Sequence, residues 1–371
     1  MTLSRREFAA SLFATLPLAA LGDKMAKRTD VPWLAEVQTP PAKLPANAGG
    51  TPVPKLPSLL VDADGRKITT LAGWQKRRAE IRRDWLGFLG TLKAERPKPK
   101  LAKRGLEVVK EDRPEGCIRQ LVRYEGEPGI TVEGYLLKPA KPDGPRPGVV
   151  ALHSTVGHTI RQPAGLQGRP EKAFGLKLAQ RGVVAFCPKC FLWVGKGGYK
   201  EKVAEFQKRN PGCKGMAKML WDAMLAVDIL ASLPEVDANR LGAVGHSLGG
   251  KETLYLAAFD ERIKATVSSE GSIGIPFCNW YAPWYLSEAV RDGTWTRRHH
   301  EVLSLVAPRA FLQLGGGKSD GAHSWPYIAA ALPVYRLYGG APRVGLFNHQ
   351  KGHAVPPEAE SRLYEWLATY L

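Results

Sequence analysis

The sequence predicts an α/β fold: a mostly parallel, doubly wound sheet, entered through antiparallel strands and preceded by an N-terminal extension. Three observations predict it. From Gly148 onward, short apolar runs alternate with helical patterns, an order that buries a parallel sheet between helices. Before that point, three segments alternate apolar and polar residues as half-exposed strands do. A serine flanked by glycines, in Gly245-His246-Ser247-Leu248-Gly249, stands between one apolar run and the next helical pattern.

The elements follow in order. Residues 31–57 are rich in Pro, Ala and Gly with little periodicity, which fits either an extended segment lying over the domain or a mobile linker. Residues 69–89 place Leu71, Trp74, Ile81, Trp85, Phe88 and Leu89 at helical spacing among charges, so a long helix with core aromatics is expected. Pro97-Lys98-Pro99-Lys100 then breaks the chain before strands at 106–110, 118–124 and 131–137. The run 148–153 is apolar as far as His153 and reads as a strand buried on both faces. Helical patterns at 173–181, 216–231, 251–259, 324–337 and 357–371 alternate with strands at 183–186, 241–244, 263–268, 310–314 and 344–348. The expected organisation is a leader over 1–28, an extension with the long helix over 29–104 and a catalytic domain over 105–371.

A serine hydroxyl is a poor nucleophile at neutral pH and needs a base within reach and a carboxylate to orient that base. Glycines two before and two after Ser247 permit a crowded strand-to-helix turn that lifts the hydroxyl clear of the sheet. The following helix start aims N–H groups at negative charge forming there. Ser247 is therefore the candidate nucleophile, whereas an ordinary Gly-rich turn would have no reason to be followed by suitable partners. His299, His300, His323, His349 and His353 follow it. His353, in Lys351-Gly352-His353-Ala354 between the last strand and the final helix, is the first candidate base, and His349 the second. Two carboxylates stand at strand ends: Asp320, before Gly321, and Glu270, in Ser268-Ser269-Glu270-Gly271-Ser272. Either can be the triad acid, the other then binding substrate or orienting the first. The Leu248 N–H and that of Ser154 or Thr155 are the candidate oxyanion donors. His153 is expected to hold its loop by a structural hydrogen bond.

Ser4-Arg5-Arg6-Glu7-Phe8, with an apolar segment at 9–21 too short to span a bilayer, reads as a twin-arginine export signal, which implies a periplasmic or secreted protein. No later segment is apolar for long enough to form a membrane span. Of 371 residues, 44% are hydrophobic and 24% charged, ordinary for a globular chain, but the net charge is +18. Between Lys76 and Arg104, eleven Lys or Arg meet only Glu80, Asp84 and Glu95. This stretch reads either as an attractor of acidic polysaccharide or as a solvated basic helix and linker. No basic-aromatic interleaving suggests nucleic acid as a partner. Five cysteines are present. Cys187-Pro188-Lys189-Cys190 has redox or zinc-half-site spacing without a second Cys/His pair, so no metal is expected, while a disulfide from Cys213 to one of the pair is.

The segment Gly245-His246-Ser247-Leu248-Gly249-Gly250-Lys251, taken with Ser269-Glu270-Gly271, resembles bacterial polysaccharide esterases of the acetyl xylan esterase and glucuronoyl esterase type, and more distantly the dienelactone hydrolases. The resemblance implies the α/β-hydrolase fold, a Ser-His-acid triad without metal or organic cofactor, and a carbohydrate ester, small or polymeric, as substrate. It carries Ser247, Gly250, Lys251 and Glu270, with Lys251 implied as a contact to sugar hydroxyls. The arginine that the glucuronoyl esterases place after the serine is Leu248 here. Phe277, Trp280, Tyr281, Trp284, Tyr285 and Trp295 lie between the strand bearing Glu270 and the next, and Trp325 follows Asp320. Trp280, Trp284 and Trp325 are candidate sugar-stacking faces, or else core residues of a lid. The expected activity is that of an exported serine carboxylesterase. Competing readings are a peptidase-type or dienelactone-type hydrolase, a glycan-binding protein without catalysis, and an oxidoreductase using Cys187 and Cys190.

Overall fold

The computed structural model describes residues 30–48, 50–96, 106–141, 143–317 and 320–371; the expected leader and the Pro-Lys break lie outside the described residues. The chain enters through a short helix α1 (Leu34–Val37), strands β1 (Asn47–Ala48) and β2 (Thr51–Pro52), and a long helix α2 (Leu71–Leu89). Strands β3 (Glu107–Asp112), β4 (Cys117–Glu127) and β5 (Ile130–Pro139) form a meander, followed by β6 (Arg146–Leu152), α3 (Phe174–Ala179), β7 (Val184–Pro188), α4 (Tyr199–Arg209) and α5 (Gly215–Ser232). The second half runs β8 (Val236–His246), α6 (Leu248–Phe259), β9 (Ile263–Ser269), α7 (His299–Ser304), β10 (Ala310–Gly315), α8 (Trp325–Arg336), β11 (Val344–Asn348) and α9 (Pro357–Tyr370).

Strands β3 to β11 make one sheet in the order β11-β10-β9-β8-β6-β7-β5-β4-β3. The β6–β11 half is parallel, whereas β3, β4 and β5 pair antiparallel and β5 joins β7 antiparallel. The hydropathy patterns explain this division. Strands β7 and β10 are buried at every residue, as strands covered by helices on both faces must be. The edge strand β3 is almost wholly exposed and carries Glu107, Lys110, Glu111 and Asp112, charges that discourage edge-to-edge pairing.

The extension packs on this sheet. Val31, Leu34 and Val37 are buried, Val37 lies against Gly345 of β11, and Trp33 stacks on Trp366 of α9 with ring centroids 5.7 Å apart. Residues 31–37 thus lie over the domain, as one of the two sequence readings had it, but around a short helix and not extended throughout. Helix α2 starts where Thr70 Oγ1 accepts the Gly73 N–H at 3.1 Å, and buries Trp74, Ile81, Trp85 and Leu89. Its basic face is docked rather than merely solvated. Arg82 donates to the Ala258 and Phe259 carbonyls at the end of α6, and Arg78 pairs with Glu261 at 2.9 Å.

Besides α1, a single turn in the stretch read as aperiodic, two helices were not expected. Helix α4 reads Tyr-Lys-Glu-Lys-Val-Ala-Glu-Phe-Gln-Lys-Arg, with an apolar stripe too thin to announce itself, and α7 is too short for a periodicity. The expected disulfide is not formed: all five cysteines are free. Cys187 is held inside β7 against Gly175, in a different core cluster from Cys213, which packs against Gly90. Among the described residues, no group of three or more His, Cys, Asp or Glu could hold a metal ion, and no helix is long and apolar enough to cross a membrane.

Candidate active site

Strand β8 ends at His246, and α6 begins at Leu248, so the whole turn is Ser247. Its backbone stands at φ 60° and ψ −114°, a region costly for a residue with a side chain, on the order of 1–3 kcal/mol. The surroundings enforce it. A Cβ on Gly245 would lie 2.4 Å from the Gly249 carbonyl carbon, and one on Gly249 would lie 2.4 Å from the Leu152 oxygen. The two glycines therefore let β8, α6 and the end of β6 close on one another, and the Ser247 N–H donates to Ser269 O at 2.8 Å. The hydroxyl is left at the carboxyl edge of the sheet, beside the first turn of α6.

Loops after four strands, β6, β9, β10 and β11, deliver the other groups. Glu270 ends β9 with φ 50°, and its carboxylate is fully buried. Oε1 lies 3.2 Å from His349 Nε2, and Oε2 lies 3.6 Å from His353 Nδ1. His353 is half exposed, at 47% of its side chain, and its ring packs on that of His246 at 4.6 Å between centroids. With Nδ1 turned to Glu270, its Nε2 is the nitrogen available to a reacting group. His349 is sealed, at 2% side-chain exposure, and its Nδ1 accepts the Lys351 N–H at 3.2 Å.

Asp320 is equally buried but faces other donors. Its carboxylate accepts the N–H of Ser272, the N–H of Ile273 at 2.8 Å and the hydroxyl of Ser324 at 3.1 Å. Burial, and after it the charge of Glu270, push its carboxyl up to about 7. These bonds clasp the turn that leaves Glu270, where Ser272 also has positive φ, at 65°.

Of the two candidate loop donors, Ser154 has its N–H committed to Gln162 Oε1 at 3.0 Å, and Thr155 is exposed next to it. His153 holds the loop as its place suggested. Nε2 accepts the Cys190 N–H at 3.1 Å, which leaves Nδ1–H to donate to Ser154 O at 2.7 Å, and burial lowers its pKa to about 4. Sequence reasoning passed over His246 and Lys172. The Lys172 ammonium donates to His246 Nε2 at 2.9 Å, so His246 Nδ1–H points to Ser269 Oγ at 3.0 Å. Burial and then Lys172 press His246 well below the usual histidine range, which keeps the ring under His353 neutral. His246 stood in view as the variable residue of the serine motif, but nothing in the sequence ties Lys172 to it.

The expected sugar contacts need correction. Lys251 is buried, donates to Gly271 O at 2.7 Å and lies 3.1 Å from Cys278 Sγ and 4.6 Å above the Trp280 ring, so its ammonium is spent inside the protein. Trp280 is wholly buried, with Nε1 bonded to Ser272 O at 2.7 Å, and Trp325 is buried as well, so neither offers a face to a ligand. Trp280 is a core residue because the segment after β9 folds back under itself, and Trp325 because it is the buried first residue of α8. Trp284 is half-buried beside Tyr199 and keeps an accessible edge. A cleft of about 340 Å³ opens in the same segment, lined by Cys278, Tyr281, Trp295 and Arg298 among others.

Residues 132–280 match the dienelactone hydrolase family, a stretch that holds Ser247 and Glu270 and stops short of His349 and His353. Over 310 residues the chain is 28% identical to YtaP of Bacillus subtilis (strain 168), described as a hydrolase, covering 78% of this chain and all of that one. It is 24% identical over 355 residues to a 4-O-methyl-glucuronoyl methylesterase of Phanerochaete carnosa, covering 83% of this chain and 78% of the relative. A glucuronoyl esterase from Solibacter usitatus superposes with a TM-score of 0.67 at 20% identity, over 89% of this chain and all of that one. The chain has the α/β-hydrolase fold. Strand order, the turn at Ser247 and the antiparallel entry through β3–β5 are those of this α/β-hydrolase fold, as the resemblance implied.

Proposed function

We propose that this α/β-hydrolase is a serine carboxylesterase acting on an ester of a carbohydrate. Ser247 attacks the ester carbonyl; His353 Nε2 takes its proton and returns it to the leaving alcohol; Glu270 faces His353 Nδ1, fixing the tautomer and stabilising the imidazolium. The N–H groups of Leu248 and Thr155 receive the oxyanion, since the Ser154 N–H is already committed. Water then repeats the sequence on the acyl enzyme, and no metal or organic cofactor takes part. The observation that carries the reading is the buried Glu270 carboxylate turned to the half-exposed His353, whose ring packs on His246, the residue before a serine held in strained geometry.

The carbohydrate ester is supported by the likeness to glucuronoyl esterases, and the likeness to dienelactone hydrolases favours a lactone or small ester as the second reading. Leu248, buried at the position after the serine, adds no charge to the oxyanion site. The twin-arginine motif supports export to the periplasm or beyond. The purified protein should react with a fluorophosphonate probe and hydrolyse acetylated or uronate-methyl sugars, and Ser247→Ala should abolish both. Turnover undiminished in Ser247→Ala would sink the proposal, and a preference for lactones over sugar esters would select the second reading.

A further inference from the structure

The carboxylate of Glu270 has two buried oxygens with no hydrogen-bond donor from any backbone amide or hydroxyl among the described residues, and the buried Nε2 of His349 likewise has no other partner. Sealed polar atoms left in this state cost free energy unless they satisfy one another. Oε1 and Nε2 stand 3.2 Å apart. The proton needed between them is already assigned. His349 Nδ1 accepts the Lys351 N–H, so a neutral His349 carries its hydrogen on Nε2, the atom facing Glu270. We infer that His349 is a positioning residue, whose Nε2–H holds Glu270 Oε1 and so leaves Oε2 for His353.

The arrangement around His349 suits a fixed anchor and not a working base. Its backbone N–H donates to Gly315 O at 2.8 Å, continuing the pairing of β10 with β11 past the last strand residue. A Cβ on Gly316 would lie 2.0 Å from His349 Cε1, so the ring is seated directly on a glycine backbone. Both ring nitrogens are occupied within the protein, whereas His353 is half exposed and has Nε2 to offer. One carboxylate thus spans two imidazoles: the inner one is fixed to the sheet, and the outer one rides on the loop after β11 with its ring on that of His246, the neighbour of Ser247. Without the inner contact, Glu270 can turn about its side-chain bonds, and its facing of His353, already 3.6 Å, loses definition.

This inference rests on the reading of Ser247, His353 and Glu270 as the triad, and its test separates the two. His349→Gln sets an amide N–H near the former Nε2, and His349→Asn sets it near Nδ1. On a small aryl acetate, kcat of His349→Asn should fall about 10- to 100-fold with KM within about 2-fold, the loss expected of a misplaced catalytic group. His349→Gln should regain most of that loss. In a Glu270→Gln background, His349→Asn should cost less than about 3-fold more, because the group that it positions is already gone. Equal activities of the Gln and Asn variants, or a full multiplicative loss in the Glu270→Gln background, would overturn the positioning role. The comparison of Gln with Asn holds at matched melting temperatures, and the double variant provides the answer if either single variant is poorly folded. If Ser247→Ala and Glu270→Gln themselves leave turnover intact, it is the triad that fails, whatever the His349 variants do.

Discussion

The ends of β9 and β10 offer two buried carboxylates, and the contrast between them is instructive. Glu270 and Asp320 are both sealed from water; Glu270 directly follows β9, and Asp320 lies in the loop that leaves β10. Glu270 faces two imidazoles and, among the described residues, no amide, whereas Asp320 is filled by two backbone N–H groups and a hydroxyl. A carboxylate whose lone pairs are consumed by the turn it braces has little left to orient a histidine. The difference of roles arises from the donors around each group, not from its place along the chain.

Substitutions that treat the two acids alike break or sharpen this comparison. The largest effect is expected from Glu270→Gln, which should lower kcat about 10³- to 10⁴-fold with a nearly unchanged melting temperature, because it removes the charge that stabilises the His353 imidazolium. If Asp320→Asn lost as much and Glu270→Gln little, the two roles would have to be exchanged. Gly316→Ala comes next. Its methyl must displace the His349 ring, and a kcat loss of about 10-fold or more is expected, with the stability cost measured alongside by thermal melting.

Asp320→Asn should do least to turnover and most to the pH dependence of stability. Its folded pKa of about 7 lies above the roughly 4 of an unfolded aspartate, so the unfolded chain releases the proton first. Stability therefore falls as pH rises from about 4 through about 7, and that part of the slope should vanish in the variant. At pH 5, where the carboxyl is protonated in the fold, the variant should melt about 3–6 °C lower through the mismatch of its amide with two N–H donors. An unchanged slope between pH 5 and 8 would show that another group sets it.

Much of this could be read before any coordinates. Apolar runs, broken in β10 by Gln313, marked the β6, β7 and β10 strands, and Gly245 and Gly249 marked the turn at Ser247, since both signals are carried by neighbours in sequence. The choice between Glu270 and Asp320 was not legible, because both follow strands and both precede a glycine. Trp280 and Lys251 looked like ligand contacts by type and position, but the segment after β9 turns them onto each other inside the core. His349 could be read only as a second possible base, since its partner lies on a different strand.

The sequence alone determined the alternating sheet and helices, the strained serine between them and the presence of histidines in the last loop, because periodicity and steric tolerance act over a few adjacent residues. Only the tertiary structure decided which carboxylate meets which imidazole, and which tryptophans and lysine lose access to solvent. Those outcomes depend on the hydrogen-bond donors that separate strands bring together, and on the low-polarity interior in which each buried oxygen has to find its partner.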